Sequence, residues 1–405
     1  MIESTRLLAV TALVACFMMI LVRFIANWRL RKPVNTAKIP GPPGLPLLGH
    51  ALLVNVPSTE FLGKLTGFCK RYGPVLNFRL GWRNYVVLSK CREVEKILSS
   101  NRHITKGPDY QFLHPWLGFG LLTNDGDAWH SRRKLLTPAF HFRILADFLR
   151  VMNRQSKTLI EKLSNACGDE HHVVDLFPFI TYCALDIICE TAMGRTVDAQ
   201  GQNDSPYVKA IFKASDIIFL RQRSPWFFSD LTFRLSPYYS EFKQSLDILH
   251  GFTRSVISER KAEFLATQSS TSEVIDDDVA ATFGGQKRLR LAFLDLLLQV
   301  SDGGQVLTDE EIREEVDTFM FEGHDTTAAN MAFTCFCLAS NTDIQKRVQA
   351  EIDDIFADDP DRDCTMDDLS RMKFLECCVK ESLRLYPSVP IISRTLREDV
   401  TLDVR

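Results

Sequence analysis

The sequence predicts a mainly α-helical domain with a small β-sheet region, preceded by one N-terminal transmembrane helix. Three observations predict it. Apolar residues recur three and four apart over most of the chain, as in Phe148-Val151-Met152 and Leu159-Leu163. Two short runs suited to strands stand close together before residue 90. An apolar run without a charge, Leu7 to Val22, stands near the start. The composition agrees with a packed domain: of 405 residues, 45% are hydrophobic and 24% charged. Lys plus Arg is 48 against 51 Asp plus Glu, a net charge of -3, which argues against a nucleic-acid binder.

If Arg23 snorkels, the apolar run extends through Trp28, reaching about the twenty residues that a bilayer core requires. A cleavable signal peptide is the rival, but no small-x-small site follows, and Arg23, Phe24 and Trp28 sit where cleavage would fall. Only Arg6 precedes the run, whereas Arg23, Arg29, Arg31, Lys32 and Lys38 follow it, so the bulk of the chain is expected to face the cytosol. Ile39-Pro40-Gly41-Pro42-Pro43-Gly44-Leu45-Pro46 reads as an extended, semi-rigid strap. The expected division is therefore an anchor over 1–28, a basic and proline-rich linker over 29–50, and a soluble domain over 51–405. The 11 cysteines show neither disulfide-framework nor zinc spacing and read as reduced, buried small hydrophobes.

In the soluble part, Ser58 to Tyr72 suits a helix capped by Ser58 and stopped at Gly73-Pro74, followed by strands over Val75 to Leu80 and Tyr85 to Leu88. Helical spacing then runs from Trp129 into the 190s and from Ser205 to Phe264. Ala266 to Gln286 is polar and turn-rich, the pattern of a loop. Leu291 to Val300 makes a helix. Thr308 with Glu311 is a capping box opening the longest pattern in the chain, which continues to Ser340 without a proline, roughly 48 Å at 1.5 Å per residue. Asn341 ends it, Thr342 with Gln345 begins another helix, and Asp367 to Leu385 forms a further one closed by Pro387. Asp399 to Arg405 alternates as a strand does.

Three groups of residues could carry chemistry. Glu322, Asp325 and Thr326 fall at i, i+3 and i+4 on one face of the long helix, among Phe, Met and Ala neighbours that predict burial. Buried acids need partners, water or a ligand. Gly323 costs about 1 kcal/mol relative to Ala and would open space beside the backbone, as in a helix bent around something bound. Each residue is also explained singly, by a Thr bonding back to the carbonyl four residues earlier and by two solvated acids. Trp129 and Arg133, four apart, could both donate to one anion, or could be a core Trp beside a solvated Arg. Glu381 and Arg384 can pair on one helix face, as many surface pairs do.

The order of these features says more than any one of them. A hydrophobic anchor, a proline strap, Trp129-x-x-x-Arg133, a helix bearing Glu322-Gly323-x-Asp325-Thr326-Thr327, Glu381-x-x-Arg384 and Pro390-x-x-x-Arg394 resemble the linear signature of microsomal cytochrome P450 enzymes along the whole chain. The runs Gly120-Leu121-Leu122-Thr123, Trp129 to Lys134, Phe293 to Leu298 and Val316 to Thr327 resemble family 4 of that superfamily. The resemblance implies a cytochrome P450 fold holding heme b, with Trp129, Arg133 and Arg394 donating to heme propionates. It implies that Glu381 and Arg384 form a buried structural pair behind the heme, and that Asp325 and Thr326 deliver protons to dioxygen at the iron. In family 4 the acid at the Glu322 position can form an ester to a heme methyl. The implied activity is monooxygenation of fatty acids or related lipophilic substrates, with NADPH-cytochrome P450 reductase as electron donor and cytochrome b5 as a further partner. The implied place is the endoplasmic reticulum membrane, with the catalytic domain facing the cytosol.

The family takes its iron ligand from a Phe-x-x-Gly-x-Arg-x-Cys-x-Gly loop downstream of the second arginine site. That pattern is not among the 405 residues, so no cysteine is assigned to the metal. The expectation from sequence is a C-terminally truncated domain that folds poorly and binds heme weakly or not at all. The alternative to an enzyme is a truncated non-catalytic isoform or pseudoenzyme anchored in the membrane.

Overall fold

The computed structural model describes residues 38–137, 142–168, 173–201, 205–271, 293–301 and 307–402. The expected membrane anchor, the first part of the linker and the polar segment beyond residue 271 lie outside the described residues. Among the described residues, no helix is long and apolar enough to cross a membrane. Two compact units are present. One holds the described residues up to Lys96 together with Leu402, and the other spans Ile97–Thr401.

The first unit contains helix α1 (Ser58–Tyr72), strands β1 (Val75–Leu80) and β2 (Arg83–Leu88), and most of helix α2 (Cys91–Leu98). The strands pair antiparallel from Val75↔Leu88 to Leu80↔Arg83, and Gly81 turns between them at φ 57°. The N-cap of α1 is Pro57 and makes no side-chain cap, so Ser58 is the first helical residue and not the expected cap. The proline strap lies against β1: the Asn77 amide donates to the Pro40 carbonyl at 2.8 Å, and the Arg79 amide donates to His50 Nδ1 at 2.8 Å. Gly41 is needed there, because a Cβ would lie 2.4 Å from the Asn77 carbonyl oxygen.

The second unit is helical: α3 (His114–Leu117), α4 (Gly126–Leu136), α5 (Phe142–Cys167), α6 (Leu176–Ala192), α7 (Pro206–Arg223), α8 (Asp230–Arg234), α9 (Tyr238–Thr271), α10 (Phe293–Ser301), α11 (Asp309–Ser340), α12 (Thr342–Ile355), α13 (Met366–Arg371) and α14 (Lys373–Leu385). The mainly α prediction with a small sheet holds. Helix α11 begins at the predicted capping box: the Thr308 hydroxyl accepts from the Glu311 amide and the Glu311 carboxylate accepts from the Thr308 amide. Asp309, Glu310 and Glu311 in its first turn complement the helix dipole. It packs most extensively on α6, whose apolar sequence buries Ile180, Cys183, Ala184, Leu185 and Cys189.

Five expectations need correction. The pattern read as continuous from Ser205 to Phe264 breaks after Arg223, where Ser224 turns extended ahead of Pro225. Helix α9 continues to Thr271, into the segment expected to be loop. The helix expected over Asp367 to Leu385 is two, because Met372 adopts φ -73°, ψ 61° between α13 and α14. Residues 399–402 form no strand. Of the ten described cysteines, all free thiols, only Cys183 and Cys189 are buried, so the buried-hydrophobe reading fails for the others.

Candidate functional site

The centre of α11 carries the predicted notch. Glu322, Asp325 and Thr326 are half-buried on one face. Burial raises the pKa of both carboxyls, and for Glu322 the Lys106 ammonium opposes that rise. Thr326 Oγ1 donates to the Glu322 carbonyl at 2.5 Å, the back-bonding weighed from sequence, while the Thr326 carbonyl accepts from Ser388 Oγ at 2.8 Å. The space expected beside Gly323 is filled: a Cβ there would lie 2.7 Å from Ile188 Cδ1. The glycine therefore lets α6 approach, and α11 runs uninterrupted from Asp309 to Ser340 instead of opening around a ligand.

Next to the notch, two distant segments pair. The Gly107 amide donates to the Ser393 carbonyl at 3.2 Å, the Thr395 amide donates to the Thr105 carbonyl at 2.9 Å, and Lys106 bridges Arg394 in antiparallel register. The pairing is tight, since a Cβ on Gly107 would lie 1.9 Å from Ser393 Oγ. It brings Lys106, Tyr110 and Arg394 together. Burial, then the Arg394 charge, lowers the Lys106 pKa, with Glu322 and Asp125 opposing. Burial raises the Tyr110 pKa against a hydrogen bond from Arg394. Arg394 also donates to the Ser393 carbonyl at 3.0 Å. Lys106 and Tyr110 were not legible in the sequence, where nothing links them to a residue almost three hundred positions away.

Helix α4 presents Trp129, half-buried, and Arg133, exposed, with the guanidinium carbon 5.3 Å from the indole centroid. Its N-cap Asp125 lies 3.6 Å from Arg397, which ties the start of α4 to the segment carrying Arg394. Glu381 and Arg384 do pair, through two hydrogen bonds of 2.7 Å, but their side chains are 54% and 66% exposed. The burial expected for that pair is therefore not found. Their helix α14 is capped from outside: the Glu351 carboxylate accepts from the Phe374 and Leu375 amides at 2.7 and 2.9 Å.

His324, beside Asp325, is fully buried, and neither ring nitrogen has a hydrogen-bond partner. Burial lowers its pKa to about 4, so the imidazole is neutral. Among the described residues, no cluster of His, Cys, Asp and Glu could hold a metal ion directly. What the site offers is a different donor set. Val389, Ile391 and Ile392, all about half exposed, lead along one segment into Arg394, and the stacked rings of Phe333 and Tyr386, 4.9 Å apart, extend the apolar surface onto α11. Exposed apolar side chains beside a cluster of cations are the chemistry that suits a flat apolar macrocycle with carboxylate arms.

Comparison with known proteins gives the family. The cytochrome P450 family model matches residues 39–404. The chain belongs to the cytochrome P450 family. Within it, the chain is 46% identical over 368 residues to cytochrome P450 4c3 of Drosophila melanogaster, covering 90% of this chain and 68% of that protein. It is 44% identical over 399 residues to human cytochrome P450 4V2, covering 98% of this chain and 74% of that one. These likenesses place the P450 chain in family 4, and with it among the heme-dependent monooxygenases.

Proposed function

We propose that this family 4 monooxygenase hydroxylates fatty acids or related lipophilic chains at the endoplasmic reticulum membrane, with its catalytic domain in the cytosol. The observation that carries the reading is the convergence of Lys106, Tyr110 and Arg394 beside the half-buried Glu322–Asp325–Thr326 notch. Heme, when bound, supplies the redox centre at which one atom of O2 enters a C–H bond and the other leaves as water, using two electrons and two protons. Electrons come from NADPH-cytochrome P450 reductase, with cytochrome b5 as a further donor.

The chain's own residues do the rest. Arg394, Trp129 and Arg133 hold the carboxylate arms, because guanidinium and indole N–H groups donate to anions and have nothing to accept. Asp325, its pKa raised by burial, keeps a proton more readily than a solvated acid and can donate it into the notch. The Thr326 hydroxyl, tied to the Glu322 carbonyl, keeps lone pairs free to accept that proton and pass it on. Glu322 would pin the macrocycle through an ester to a heme methyl. The exposed Glu381–Arg384 pair lies on α14 ahead of the apolar segment.

The test is reconstitution of a full-length version carrying the family's cysteine loop with reductase, NADPH and a series of saturated fatty acids, with products identified by mass spectrometry. Hydroxylation weighted to the chain end is expected, and Thr326→Ala should divert at least half of the NADPH consumed to peroxide. Consumption of NADPH with no oxygenated product from any chain length would contradict the substrate assignment. Acid-acetone extraction tests the ester: porphyrin should stay with the protein and be released in Glu322→Ala.

A further inference from the structure

One buried carboxylate lies outside the notch. Glu315 on α11 is 0% exposed, yet it carries a charged group into the core. One of its oxygens accepts from the Leu121 amide at 3.1 Å. The other lies 3.4 Å from Arg132 Nε on α4, and Arg132 in turn donates from Nη2 to Glu311 at 2.9 Å. Arg132 is itself only 10% exposed, and its Nη1 has no hydrogen-bond partner. The loop between α3 and α4 is drawn equally close, since a Cβ on Gly120 would lie 2.2 Å from Thr318 Oγ1. Thus α4 meets α11 through an ion pair removed from water, where charges couple far more strongly than at the surface.

Arg132 is three residues from Trp129, on the same helix face, and is next to Arg133 in the chain. We propose that Glu315 is a positioning residue, which through Arg132 fixes the rotation of α4 and so the direction in which Trp129 and Arg133 offer their donors. This rests on the reading of Trp129 and Arg133 as carboxylate-binding groups. Burial raises the Glu315 carboxyl to about 7, with Leu121 and Arg132 opposing and Glu314 and Glu322 adding to the rise. Ionised Glu315 therefore weighs against the folded state as pH rises through about 7, while it is the ionised form that grips Arg132. Stability and positioning have opposite signs, and no purely structural role predicts that.

Glu315→Gln keeps an acceptor for the Leu121 amide and removes the charge. Hydrogen exchange followed by mass spectrometry, on the protein without porphyrin at about pH 8, should show the α4 amides of the variant exchanging at least tenfold faster, with α6 and α12 unchanged. Its urea midpoint should equal or exceed that of the wild type. Unchanged α4 protection, or loosening spread over α6 and α12, would overturn the proposal. A hemin arm separates it from the underlying reading: transfer of bound hemin to an acceptor apoglobin should quicken in Glu315→Gln and in Arg133→Gln. Faster transfer in Arg133→Gln alone overturns the positioning role. Wild-type transfer in Arg133→Gln overturns the donor reading instead, and the exchange result then decides whether Glu315 fixes α4.

Discussion

In its first turns α11 buries Arg313, Glu315 and Asp317, and each meets a partner within the fold. Asp317 accepts from Thr253 Oγ1 of α9 at 2.6 Å and pairs with Arg313, which also donates to Glu310 at 2.7 Å. Two turns later the same helix carries Glu322 and Asp325. Both have raised pKa values through burial, but among the described residues neither forms an ion pair. Further on, Phe333 and Phe336 are 39% and 55% exposed. The first half thus consumes its charges in joining α4, α9 and α11, whereas the second half leaves both acids and aromatic rings available to a ligand. Framework and candidate binding surface share one uninterrupted helix.

The largest test of that contrast is to orphan a charge in each half. Arg313→Met leaves Asp317 buried without its cation and should cost about 3–5 kcal/mol in urea denaturation. Glu322→Gln removes a charge that nothing in the fold requires and should cost no stability. Equal losses would erase the distinction.

A pH series sharpens it. Burial raises Asp317 and Glu315 to about 7. Carboxyls that are more basic folded than unfolded contribute stability that is complete below about pH 4 and is lost as pH rises through about 7. The slope reaches at most ~1.4 kcal/mol per pH unit for each group. Urea midpoints should fall across that window, and Asp317→Asn should flatten the fall. Smaller again is the effect of Glu351→Gln, which weakens the carboxylate cap of α14 and should quicken amide exchange at Phe374 and Leu375 while leaving α11 protected. Smallest is Glu381→Gln: the pair is exposed, and thermal denaturation should detect no change.

Helix α11 was legible because its start is a local signal, Thr308 with Glu311, and nothing in its sequence interrupts it. The break at Met372 was not, since methionine is no breaker and the cap that starts α14 comes from Glu351 on another helix. Within the site, Glu322, Asp325 and Thr326 were visible because helical spacing places them together. Lys106 reaches Arg394 only through backbone pairing between remote segments. The charged run from Glu310 to Asp317 resembles a solvated helix face, and its burial is a property of α4 and α9 closing over it. For Glu381 and Arg384 the spacing reads as an ordinary surface pair, as found, whereas the burial implied by the family resemblance is absent.

The central claim is that Arg394, with Trp129 and Arg133, grips the carboxylate arms of a porphyrin. Titrating the protein with iron protoporphyrin and with its dimethyl ester, followed by absorbance, tests this directly. The free acid should bind at least tenfold more tightly, and Arg394→Gln should remove most of that preference. Equal affinity for the two porphyrins in the wild-type protein would contradict it.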